Sequence, residues 1–166
     1  MAKYKTIIGR AELVDFPALK ITGVPAKTDT GAYSSSVHVT NIREETDRTG
    51  QKVLTFQLFG DHPTSPDSRK MTLRHYKVTR VENSFGETQQ RYKVELKVAL
   101  AGKVFVAPFT LSNRSGKLFP VLLGRTLLNG RFIVDSKIAH VNKGSLKAKK
   151  KDLLEQADLE DEGNET

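Results

Sequence analysis

Asp29-Thr30-Gly31-Ala32 is the stretch of this 166-residue chain whose residue types and order point most directly to chemistry. An apolar approach through Ile21, Val24 and Ala26 ends at an aspartate, and Tyr33 and the run Ser34-Ser35-Ser36 follow. That order suits a carboxylate presented on a tight turn at the end of a buried strand. Thr30 can hydrogen-bond locally, Gly31 lets another backbone come close, and Ala32 leaves room beside the carboxylate. Such a turn is half of an acid–base pair.

Other chemistries find less in the residues. No Gly-x-x-x-x-Gly-Lys-Ser/Thr run, no His-Glu-x-x-His and no cysteine is present, so neither a cofactor nor a metal site is expected. His38, His62, His75 and His140 are scattered singly along the chain and read as surface or core hydrogen-bonders. Ser34–Ser36 close to His38 could suggest a serine nucleophile. No oxyanion motif accompanies the run, and it reads as turn chemistry.

The elements that must position Asp29 read as strands. Val53–Phe59 is a short apolar run ending at Gly60, and Lys93–Val98 alternates polar and apolar with period two. Lys103–Ala107 repeats the alternation after Ala101-Gly102, which predicts a hairpin, and Arg131–Asp135 is a further strand. Gly, Pro, Asn and Asp cluster between the runs. Short strands at this spacing predict an all-β closed barrel or sandwich. One short helix is expected at Arg125-Thr126-Leu127-Leu128, stopped near Asn129-Gly130. Val121-Leu122-Leu123-Gly124 is the apolar strand that leads into it. Ile7-Ile8-Gly9-Arg10 echoes Leu122-Leu123-Gly124-Arg125, a repeat that suits two halves related by a pseudo-twofold.

Residues 1–142 form the expected domain, and 143–166 a charged, mobile tail with room for a short helix around Lys149–Leu159. Net charge is +8 overall, but the tail carries five Lys against seven Asp or Glu, leaving 22 basic against 12 acidic residues in the body. A body this basic favours an acidic partner. Without cysteine, a signal-peptide core or an apolar run long enough for a bilayer, the expected location is the cytoplasm, away from membranes.

Taken together, Asp29-Thr30-Gly31-Ala32 and the downstream Leu122-Leu123-Gly124-Arg125 leading into a helix resemble a retropepsin-type aspartic endopeptidase, in motif order from roughly Pro25 to Asp135. Ile7-Ile8-Gly9-Arg10 and Ala26–His38 are similar to one bacterial branch. It has been labelled ATP-dependent zinc protease, is now described as retropepsin-like, and is often associated with ATP-grasp ligases that modify ribosomal proteins. The resemblance implies an all-β, retropepsin-like closed barrel with one short helix. It implies a homodimer, because only one Asp-Thr-Gly is present and Asp135-Ser136 is followed by Lys137. Asp29 would be the catalytic residue, with Thr30, Gly31 and Ala32 as its turn. Val78–Val94 would be a flap whose tip, Ser84-Phe85-Gly86, closes over a peptide or protein substrate. Gly124 and Arg125 would support the site from below.

Two departures bear on substrate. Tyr33 and Ser34 stand where retroviral relatives carry acids that hold the substrate backbone, so these two residues and the flap tip are the candidate substrate contacts. The carboxylate that ordinarily pairs with the Arg of Gly-Arg is then missing, and Asp135 is expected to pair with Arg125. The basic body and the ligase association together suggest acidic or glutamylated protein tails as substrates. Two alternative readings are a dimeric scaffold without catalysis, and a basic β-barrel that binds single-stranded nucleic acid through Phe56, Phe59, Tyr76, Phe85 and Tyr92.

Overall fold

The computed structural model describes residues 5–65, 67–82 and 84–163. The strands are β1 (Thr6–Ile8), β2 (Ala11–Phe16), β3 (Ile21–Thr28), β4 (Ser35–Thr46), β5 (Lys52–Leu58), β6 (Arg69–Leu73), β7 (Lys77–Glu82), β8 (Thr88–Leu100), β9 (Lys103–Ser112), β10 (Val121–Leu123) and β11 (Phe132–Val134). Helix α1 covers Arg125–Leu128 and α2 covers Lys143–Gly163, with a single 3-10 turn at Pro17–Leu19. None of the described helices is long and apolar enough to cross a membrane.

Six strands close on themselves. The pairing runs β10-β3-β2-β8-β9-β4, and β4 returns to β10 through Val121 opposite Val37. Closure removes the open sheet edges that these strands would otherwise expose. The expected closed all-β barrel is therefore the fold. Outside the ring, β5 and β6 continue from the far half of β4, β7 pairs with β8, and β1 pairs with β11 as a separate two-stranded parallel sheet.

Period two explains the core. Val94, Leu96, Val98 and Leu100 of β8 point inward while Glu95 and Lys97 face out. On β9 the inward residues are Ala107, Phe109 and Leu111, and the outward set is itself apolar at its start. Val104 and Val106 remain 58% and 54% exposed, which the expected polar–apolar alternation did not anticipate. Phe16 joins the layers, its ring 5.4 Å from Phe59 and 6.0 Å from Phe109. Each such fully buried side chain stabilises the fold by roughly 1.5–3 kcal/mol. Phe56 and Phe59 are 2% and 1% exposed, so two of the five aromatics of the nucleic-acid reading are core residues and offer no stacking face.

Helix α1 falls where Arg125–Leu128 predicts it, with Leu127 and Leu128 buried beneath it. The chain then leaves the barrel through β11. Asn142 accepts the Ser145 N–H at 3.1 Å in the manner of an N-cap, and α2 follows. This helix is longer than the short one expected from the sequence, and Leu146 in its first turn packs on Ala11 and Phe119.

Candidate active site

Asp29 follows the last residue of β3, where the chain turns. Its N–H donates to Leu123 O at 2.9 Å, which ties the turn to β10. Its Oδ1 accepts the Gly31 N–H at 3.0 Å, and its carbonyl accepts the Ala32 N–H at 3.3 Å. The carboxylate thereby closes an Asx-type turn on itself. Thr30 and Gly31 are exposed, and Asp29 and Ala32 are partly so.

Gly124 and Arg125 brace this turn from beneath. A Cβ at Gly124 would collide with the Ser34 backbone, so only glycine lets β10 cross under the chain there. The Gly124 N–H donates to Oγ of buried Ser35 at 2.9 Å. Arg125 reaches over and donates from Nη1 to Thr30 O at 3.1 Å and Gly31 O at 3.0 Å. Its guanidinium also lies 5.8 Å from the Tyr33 ring centroid. The expected Arg125–Asp135 pair is not formed, because two backbone carbonyls occupy the guanidinium and Asp135 belongs to a turn of its own.

That second turn repeats the first. Asp135 N–H donates to Ile8 O at 2.9 Å, Lys137 N–H to Asp135 Oδ1 at 3.0 Å, and Ile138 N–H to Asp135 O at 3.1 Å. Arg10 donates to Ser136 O at 2.9 Å and Lys137 O at 3.0 Å, as Arg125 does in the other copy. The Ile-Ile-Gly-Arg and Leu-Leu-Gly-Arg echo is thus the mark of two equivalent hydrogen-bond frames.

A cleft of about 780 Å³ opens beside the Asp29 turn, bringing Ala32 and Ser34 together with Gln89–Arg91, the strand residues just past the hairpin turn, and with Arg114. Tyr33 faces a different hollow, with Tyr76, Lys93 and Thr126. Residues β7 and β8 form the expected hairpin, with Glu82 opposite Thr88. At its tip Phe85 is 88% exposed and Gly86 holds φ at +77°, a turn conformation that favours glycine. Ser84, Phe85 and Gly86 do not line the cleft within one chain.

The serine run is not a turn, since Ser35 and Ser36 begin β4. Both nitrogens of His38 are engaged by backbone. Nε2–H donates to Gly60 O at 2.8 Å, and Nδ1 accepts the Arg114 N–H at 2.8 Å. His38 therefore has no nitrogen left to activate a serine. Nor are the histidines single in space, for the His38 and His62 rings stack edge-on with centroids 5.0 Å apart. Nε2–H of His62 lies 3.1 Å from Arg114 O and 3.0 Å from Lys117 O. Burial, reinforced by its His38 neighbour, pushes the His62 pKa down to about 4, and burial lowers that of His38 as well. His140 is bonded to buried Glu12 at 2.7 Å. His38 and His62 are core hydrogen-bonders as expected, but their contact with each other and the role of Arg114 leave no signal in the sequence, where Ser112–Gly116 carries only turn residues.

Residues 7–144 match the family described as RimB-like, "Retropepsin-like aspartic endopeptidase RimB". A protein of Shewanella pealeana named "Probable alpha-L-glutamate ligase" is 36% identical over 139 residues, covering 81% of this chain and 29% of the relative. Its namesake in Desulfotalea psychrophila is 34% identical over 134 residues, covering 79% of this chain and 28% of the relative. The chain thus spans less than a third of the length of these relatives. The crystal structure of Lpg0085 from Legionella pneumophila, a protein of unknown function, superimposes with a TM-score of 0.63 at 28% identity, covering 82% of this chain and 97% of that one.

Proposed function

This chain belongs to the RimB-like, retropepsin-like family, and from that premise we propose that it is an aspartic endopeptidase whose site is completed by a second copy of itself. The observation that carries the reading is the Asp29 turn, whose backbone is held by Leu123 O and by Arg125 and whose aspartate remains partly exposed. Two such turns facing each other across a twofold bring two carboxylates together. Like charges that close cannot both ionise easily, so the pair shares a proton and titrates as one unit. The ionised member takes a proton from the attacking water while the protonated member donates to the peptide carbonyl oxygen.

Thr30, exposed beside Asp29, bonds the opposite turn in such a dimer, and the β7–β8 hairpin acts as the flap. The substrate is an acidic or glutamylated protein tail. Two facts favour that choice: the body of the chain is strongly basic, and similar segments occur within longer proteins named as glutamate ligases. The ligase name belongs to those longer proteins. A functional link between this chain and an ATP-grasp ligase, and a cytoplasmic location, belong to the same proposal. Among the described residues, no three His, Cys, Asp or Glu come together in a metal-holding group, and the proposed chemistry uses none.

Asp29→Asn tests the reading. The variant is expected to remain a folded dimer by sedimentation and to lose cleavage of a glutamate-tailed protein. Cleavage at the wild-type rate would sink the Asp29 dyad, and a wild-type protein that forms the dimer but cleaves nothing would leave the dimeric scaffold.

A further inference from the structure

We propose that Arg114 reads a carboxylate of the substrate in the cleft beside Ala32 and Ser34, and so decides which peptides enter. The inference rests on that cleft being a substrate site. Arg114 is half-buried, and among the described residues its side-chain partners are neutral. Nε–H donates to Phe119 O at 3.0 Å, and Nη1 lies 3.3 Å from Ser36 Oγ. Arg69 and Arg74, by contrast, have found Asp67 and Asp47. Burial lowers the guanidinium pKa from its usual value, the mark of a cation withdrawn from water. Among the described residues no Asp or Glu lines the cleft, and Arg91 adds a second cation. A partly desolvated cation without an anion is costly, and the cost is offset when a carboxylate arrives. Two of the five guanidinium donors are occupied, which leaves Nη2 and one further hydrogen for a forked bond to two carboxylate oxygens.

The loop is also fixed in place. Arg114 N–H is bonded to His38, and Arg114 O to both His62 and the Lys117 N–H, so the backbone on either side of the side chain rests on buried imidazoles. A group held this way discriminates better than one on a free loop, because little ordering remains to be done on binding.

The test separates binding from cleavage. Full-length Asp29→Asn protein is titrated with fluorescent peptides that differ only in bearing Glu or Gln, each with a free or an amidated C-terminus. A free carboxylate is expected to bind about tenfold or more tightly than its neutral counterpart. The Glu/Gln arm identifies a side-chain carboxylate as the group read, and the acid/amide arm identifies a chain end. In Arg114→Met the preference should collapse to within about twofold. Should that variant not fold, Arg114→Lys keeps the charge and loses the fork, and the ratio should fall several-fold. No preference in the Arg114 protein, or a preference that survives both substitutions, overturns the proposal. If wild-type protein cleaves none of the peptides while Arg114-dependent binding holds, the endopeptidase reading fails and this one stands.

Discussion

The Asp29 turn and the Asp135 turn share one backbone frame and differ in what stands on it. In both, a strand pairs in parallel with a short apolar strand, an aspartate caps its own turn, and an arginine after a glycine spans two carbonyls. Lys137 occupies the place that Gly31 holds in the first copy. The frame therefore does not need glycine, and Gly31 is not in the left-handed region. What glycine supplies is clear space, since a Cβ there would come within 3.3 Å of Asp29 Oδ1. Ala32 against Ile138 follows the same trend. One turn is stripped of side chains around its carboxylate and the other is clothed, which is why only the first is offered as half of a dyad.

The largest expected effect breaks the equivalence outright. Asp29→Asn should lower kcat for a glutamate-tailed substrate by more than about 10³-fold, while Asp135→Asn changes it less than about threefold. Equal losses would show that both turns serve structure alone. Next, Gly31→Lys transplants the clothed turn into the bare one. The chain should still fold, because Lys137 already stands in that frame, but the dimer should weaken in sedimentation and cleavage fall by roughly 10²-fold.

Acid sharpens the contrast, because the histidine platform lies on the Asp29 side. An unfolded imidazole takes its proton near 6.5, and buried His62 not until about 4. Between those values the unfolded chain binds more protons. The stability present above about pH 6.5 is then lost as pH falls toward 4, on the order of 2–3 kcal/mol, and His38 adds loss in the same direction. Hydrogen exchange should show Arg114 and Lys117 amides opening first, while Lys137 and Ile138 hold.

The smallest effect concerns the two arginines. Arg10→Ala and Arg125→Ala each remove two carbonyl hydrogen bonds at an exposed site and should cost about 1–2 kcal/mol in denaturant melts. Only Arg125→Ala should also slow cleavage, by about tenfold.

Periodicity and punctuation made much of this legible. The β8–β9 hairpin follows from period-two alternation around Ala101-Gly102, and α1 from the apolar run stopped at Asn129-Gly130. The Ile-Ile-Gly-Arg echo pointed to a duplicated frame. It did not reveal that Asp135 is the counterpart of Asp29, because that equivalence lies in backbone hydrogen bonds that Ser-Lys-Ile and Thr-Gly-Ala form alike. Arg125 was assigned a carboxylate for the same reason, since carbonyl acceptors leave no trace in residue types. The His38–His62 contact was hidden further, because it joins β4 to a loop after β5 where Phe59 is held at φ +58°. Long-range packing of that sort has no periodic signature.

The parallel pairing of β1 with β11 gives the molecule a mechanical character. Thr6 lies beside Phe132 and Ile8 beside Val134, so the first strand of the fold and the last lie side by side and run the same way. Tension that drags β1 by its start and β11 by its end pulls the two strands past each other along their length. The ladder is then loaded in shear, and its rungs share the force instead of opening one after another as a zipper would. A domain tethered to neighbours at both ends would resist being drawn apart at this seam, while the same two strands peeled crosswise would part at much lower force.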